Sequence, residues 1–321
     1  MKVLTFGCSY SQVVTITDDT KYNWTWPVFL DKSLNGTVAD TEDHQGLGAS
    51  GNESISRKVI YYVDKALKSH KAEDLLVGIM WSGCDRHSVV LRESKRQYDR
   101  TNLLPESGER ITYEDFNNKL IELDQPIPET KTIREVQLKV KQFYNNPYRI
   151  ASDEFNHITL NSHWSDHLTV NYYENFVDHL SSLIKTCEQI LRTEWFLKKR
   201  NVKYFMCAYD FDTFIYAGIT HATKHLYSED CPALSLQSQY DQHTVPKDLL
   251  NHPDVKYLYD MIDKDYWLPV DSLGEWCNHV SEFDFPSSTD PHPGWEQHQD
   301  FVNKVILPFL MQKYNISCYN A

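Results

Sequence analysis

The sequence predicts an α/β fold, a parallel sheet with helices on both faces. Three observations carry this expectation. The runs "KVLTF" (2–6), "DLLVGIMWSG" (74–83) and "VKYFMCAYD" (202–210) have strand length and are mostly apolar, as strands covered on both faces are. Longer segments between them place apolar residues at helical spacing. Strands and helices therefore alternate along the chain, and that order builds a parallel sheet.

The elements follow in order. "KVLTF" is a short buried strand that stops at Gly7 and hands over to "GCSYS". "WTWPVFLDKSL" (24–34) reads as a helix with Pro27 near its first turn, where a missing N–H is harmless. "TVADTEDHQGLGASGNES" (37–54) is a weak strand that breaks up into glycines. In "ESISRKVIYYVDKALKSH" (53–70), Ile55, Val59, Val63, Ala66 and Leu67 share one helical face, and Asn52 or Ser54 can cap it. Tyr172–Arg200 contains no Pro or Gly and reads as a long helix. "YWLPV" (266–270) suggests a last short strand. In the final helix, Trp295, His298, Val302, Val305, Ile306 and Phe309 form one stripe, which Pro308 should kink. Two polar, proline-dotted stretches break the rhythm, about 86–170 and 211–264, and both read as insertions on the core.

Composition narrows the function. The 321 residues carry 32 basic and 45 acidic side chains, a net charge of −13, which disfavours nucleic acid and anionic membrane surfaces as partners. No run approaches the ~18 apolar residues of a membrane span. With no leader ahead of the first strand, a cytoplasmic setting is expected, and carriage on a phage particle stays open. Seven scattered cysteines without a CxxC pattern suggest reduced thiols rather than a disulfide framework or zinc site. The pair His221 and His225 reads as surface histidines on a helix, not as a metal site.

Ligands of a parallel sheet sit outside the carboxyl ends of its strands. Four features fall at such ends: "GCSYS" (7–11), "GASGNES" (48–54), "WSGCDRH" (81–87) and "STDPHPGWEQH" (288–298). A serine, a glycine turn, a polar loop and an Asp-x-His-Pro are the components of acyl transfer. A serine attacks, a histidine takes its proton, an acid orients the histidine, and amides hold the oxyanion. Each residue also has a plainer reading. Ser9 suits a turn, Asp290 a helix N-terminus, Asn52 an N-cap, and His298 the core. Asp85 and Arg86 suit local pairing or capping.

Together these blocks resemble the SGNH (GDSL-type) hydrolases. "FGCSYS" stands where that family has Gly-Asp-Ser-x-Ser, which implies Ser9 as nucleophile. "WTWPVFLDKSL" resembles the helix that follows there. "GASGNES" resembles the block whose glycine amide, here Gly51, joins that of Ser9 in the oxyanion hole. "DPHPGWEQHQDFVNKVILPFL" resembles the terminal block and implies His292 as base, with Asp290 as the acid. The resemblance implies a three-layer sandwich on a flavodoxin-like parallel sheet, here one domain of 1–321 with the two insertions. It also implies a serine esterase acting on a small acyl or acetyl ester, an acylated carbohydrate included, without a cofactor.

The chain departs from the family pattern in three places. Cys8 replaces the block-I acid and reads as a packing residue. Cys84 stands where the oxyanion asparagine is usual, so Asn52 or Ser82 is the candidate substitute donor. Asp290 lies two residues before His292 rather than three, which leaves a triad or a Ser-His dyad. These departures also fit a rival reading, a non-enzymatic binding or virion-associated protein on the same fold.

Overall fold

The computed structural model describes residues 1–13, 24–36, 43–46, 48, 50–90, 157–161, 179–210, 213, 249–283, 285 and 292–316. Asp290, His221 and His225 lie outside the described residues. The chain divides into two compact units, Met1–Ser88 with Asn175–Ala321, and Val89–Glu174. The second unit overlaps the stretch of about 86–170 that breaks the strand–helix rhythm, and β5 (His157–Asn161) is its described strand. A separate two-stranded sheet pairs β4 (Arg86–Val90) with β5.

The first unit is built on a four-stranded parallel sheet of β1 (Lys2–Gly7), β2 (His44–Gly46), β3 (Leu75–Trp81) and β6 (Lys203–Ala208). The strand order is β2-β1-β3-β6, with Phe6 beside Ile79 and Ile79 beside Met206. The chain leaves β1 towards one side to form β2 and returns across it to form β3. In open parallel sheets such a reversal is where a ligand crevice forms, here at the carboxyl ends of β1 and β3. The weak strand of the sequence shrinks to the three residues of β2. "YWLPV" contributes only an isolated bridge from Trp267 to Met206, because Pro269 has no N–H to extend a ladder.

Successive side chains along the strands enter opposite hydrophobic clusters, as a period of two requires. Phe6, Ile79 and Met206 join Val59 and Val63 of α2 (Asn52–Ala66) and Leu183 and Ile190 of α3 (His179–Lys199). Val255 and Leu258 of α4 (Pro253–Met261) join the same cluster, so the second expected insertion supplies a core helix. Val3, Met80 and Phe205 join Trp26 and Leu30 of α1 (Trp26–Asn35) and Leu273 and Trp276 of α5 (Leu273–His279). Cys8, Cys84, Cys187, Cys207 and Cys277 are buried and form no disulfide.

The chain ends in α6 (Trp295–Phe301), a π-helical turn at Val302–Ile306, and α7 (Leu307–Tyr314). The π turn sits where Pro308 would otherwise clash with the preceding turn. It also moves the buried stripe. Phe301 and Leu310 are fully buried, whereas the expected Trp295 and Phe309 are only half-buried. The extra residue in the π turn accounts for the slip from Phe309 to Leu310 beyond it, whereas Trp295 and Phe301 precede the turn, and Phe301 is buried there edge-on to Trp276 at 5.4 Å. Among the described residues, no helix is long and apolar enough to cross a membrane.

Three histidines are buried in this frame. Burial lowers His44 and His87 to about 4 and His298 to about 3, so all three are neutral at pH 7. The ordinary value near 6.5 applies once the chain unfolds, so between about pH 6.5 and 4 the unfolded state binds more protons. Their stabilisation is complete above that window and is lost as the pH falls through it. Each histidine contributes a slope of about 1.4 kcal/mol per pH unit there. Denaturant titrations at pH 7 and pH 5 should therefore differ by several kcal/mol. A flat profile would contradict neutral burial.

Candidate active site

Two glycines make the turn after β1 feasible. A Cβ on Gly7 would collide with the side chain of Ser11, and one on Gly46 with the Ser11 carbonyl. The chain can therefore fold back into a 3₁₀ turn at Ser9–Ser11, closed by Ser11 N–H donating to the Cys8 carbonyl at 3.0 Å. Ser11 is fully buried and accepts a hydrogen bond from Trp26 Nε1 at 3.0 Å. The second serine of "SYS" thus anchors α1, and only Ser9 stays half-buried at the crevice. Cys8 is 0% exposed and packs with the α1 cluster, as a packing residue should.

His292 arrives from the other end of the chain. Its Nε2 lies 2.8 Å from Ser9 Oγ, on an exposed approach to α6. Pro293 and Gly294 behind it are buried. Gly294 N–H donates to Gln297 Oε1 at 2.9 Å, and Gln297 Nε2 donates to the Phe283 carbonyl at 3.0 Å. Gln297 therefore fixes the path on which His292 is carried. Sequence reading passed over it, although a Gln at the third helical position is a capping signal. His298 is buried beside His292, and its burial keeps it uncharged near the imidazole.

The second block comes together around the end of β3. Gly51 is the N-cap of α2, where a Cβ would collide with the Arg86 carbonyl. Asn52 is the first residue of α2 and not its N-cap. Its Oδ1 accepts from Ser82 N–H at 2.8 Å, while Nδ2 donates to the Ser82 carbonyl at 3.0 Å and to Thr186 Oγ1 at 3.2 Å. Both amide hydrogens are thus engaged in holding the chain beyond β3. Ser82 is itself fully buried, and its Oγ accepts from Arg86 Nη1 at 3.0 Å. Cys84 turns into the α2–α3 hydrophobic cluster.

Arg86 reaches further than the local pairing expected of it. Its Nη2 donates to the Tyr209 hydroxyl at 2.7 Å, just past the end of β6. Tyr209 meets Tyr10 edge-on at 5.1 Å, and Tyr10 lies 5.0 Å from the His292 ring. Sequence reading missed Thr186, Tyr209 and Tyr10, whose partners lie far away along the chain.

No family model, curated protein or solved structure matches this chain. Its chemistry is therefore read from its own geometry. With the His292 proton on Nδ1, Nε2 is free to accept the Ser9 hydroxyl hydrogen, the arrangement a nucleophilic serine needs. Among the described residues no three His, Cys, Asp or Glu side chains gather as a metal site would require.

The pairing of Asn52 with Ser82 predicts a stability effect. Asn52→Ala strands a buried N–H and carbonyl and should destabilise the protein by about 1–3 kcal/mol in urea titrations. Asn52→Asp, although nearly the same shape, should cost at least as much, because a carboxylate would face the Ser82 carbonyl. Helix propensity alone would instead favour the Ala variant and leave the Asp variant near wild type.

Proposed function

We propose that the protein is a serine ester hydrolase of the SGNH type, working through Ser9 and His292. The 2.8 Å approach of His292 Nε2 to Ser9 Oγ carries the reading, since 283 residues separate the two in sequence. The position of Ser9 after β1, beside the β1/β3 reversal, adds support. In this reading the fold is a flavodoxin-like three-layer sandwich, one domain with insertions, which suits the order β2-β1-β3-β6.

The reaction runs in two halves. Ser9 Oγ attacks the ester carbonyl carbon as its proton passes to His292 Nε2. The backbone amides of Ser9 and Gly51 receive the oxyanion. The C–O bond to the alcohol breaks, His292 returns the proton to the leaving oxygen, and an acyl-Ser9 ester remains. Water, deprotonated by His292, then releases the acid and restores Ser9. Asp290 is assigned to orient the imidazole. Asn52, its amide already engaged, is assigned to shaping the site rather than to donating, which leaves Ser82 as the remaining side-chain candidate. The exposure of His292 suits departure of the leaving alcohol to solvent, so a small acyl group on a larger alcohol such as a carbohydrate fits.

Purified protein should hydrolyse short p-nitrophenyl esters and react with an organophosphonate at Ser9. Ser9→Ala and His292→Ala should each remove nearly all turnover, and the double variant should lose no more. Asp290→Asn should match those losses in a full triad and leave turnover unchanged in a dyad. Wild-type turnover in Ser9→Ala would end the hydrolase reading and favour a binding protein.

A further inference from the structure

Proton transfer from Ser9 needs the His292 ring held in line with the serine oxygen, and packing against the ring face contributes to that alignment alongside its hydrogen bonds. In this protein the His292 ring rests against Tyr10, with ring centroids 5.0 Å apart and planes inclined by 43°. Tyr10 is 4% exposed and takes the edge of Tyr209 at 87°. Both backbone groups of Tyr209 are fixed: its N–H donates to the Trp81 carbonyl and its carbonyl accepts from Gly274 N–H, each at 2.9 Å. Arg86 bears on its ring as well, donating to the hydroxyl at 2.7 Å with its guanidinium carbon 4.6 Å from the ring centroid.

We propose that Arg86 is a positioning residue for His292, acting through the rings of Tyr209 and Tyr10. The guanidinium spans two hydroxyls, Ser82 Oγ at 3.0 Å and Tyr209 at 2.7 Å. Such charge-assisted bonds are short and strong, and the planar fork makes both directions rigid together. Ser82 is in turn clamped by Asn52 of α2. The carboxyl ends of β1, β3 and β6 are thereby tied into one bracket, and the His292 ring leans on it. Lysine, with a compact ammonium, would satisfy one hydroxyl but not brace both.

The inference deepens the Ser9–His292 reading and is tested in two ways, one of which needs no substrate. The variants are Arg86→Met, Arg86→Lys and Tyr209→Phe, the last keeping the ring and removing only the hydroxyl. In wild-type protein the His292 Hε1 resonance, assigned by its loss in His292→Ala, should carry a ring-current displacement from Tyr10. Arg86→Met and Tyr209→Phe should each move that resonance in the same direction, and the double variant no further. Arg86→Lys should restore part of the wild-type position. Ester turnover should fall by up to about a hundredfold in kcat with KM little changed, the scale of a misplaced catalytic group. An unmoved His292 resonance in folded variants, or movement in Arg86→Met without Tyr209→Phe, overturns the bracket. Absence of turnover in wild-type protein overturns the hydrolase reading instead and leaves the resonance test standing.

Discussion

The close approach of the chain to itself just after β1 is the constraint on which the site depends. Ser11 can tuck under the sheet edge only because Gly7 and Gly46 present no side chains to it. Once there, its buried hydroxyl takes the indole hydrogen of Trp26 and seats the start of α1. The same turn leaves Ser9 at the crevice and sends Cys8 into the α1 cluster. It also buries Tyr10 where it can support His292. A side chain at Gly7 would push Ser11 out, and Trp26, Ser9 and Tyr10 would lose their places together.

A second constraint works at the end of β3. Ser82 lies beyond the last residue of that strand, where its backbone groups leave the ladder and still need partners in a buried setting. The Asn52 side chain supplies them, donating to one and accepting from the other as a neighbouring strand would. An amide carries a donor and an acceptor on separate atoms, whereas an ionised aspartate at this position could only accept. The start of α2, with Gly51, is thereby locked to the end of β3. Arg86 extends the lock to β6 through Tyr209.

The polar groups between α2 and α3 form a buried seam of their own. Ser56 Oγ meets Thr193 Oγ1 at 2.7 Å and accepts from Arg192. Burial raises Glu53 above the ordinary carboxyl range and lowers Arg192. Burying such groups between helices is tolerable only when hydrogen bonds replace water. The seam therefore fixes how α3 sits against α2, and Thr186 of α3 reaches Asn52 from it.

The sequence by itself determined the α/β class and three of the four parallel strands, because apolar runs of strand length leave little alternative. It also determined that Ser9 would follow the first strand and that His292 would precede the last helix. Glycine and proline mark those boundaries through local backbone sterics. The tertiary structure decided that Ser9 and His292 meet, that both amide hydrogens of Asn52 are engaged at Ser82 and Thr186, and that Arg86 reaches Tyr209. It likewise decided the slip of the terminal stripe at the π turn. Local propensity acts over a few neighbours, whereas each of these contacts joins residues that only packing of the sheet and helices brings within hydrogen-bonding distance.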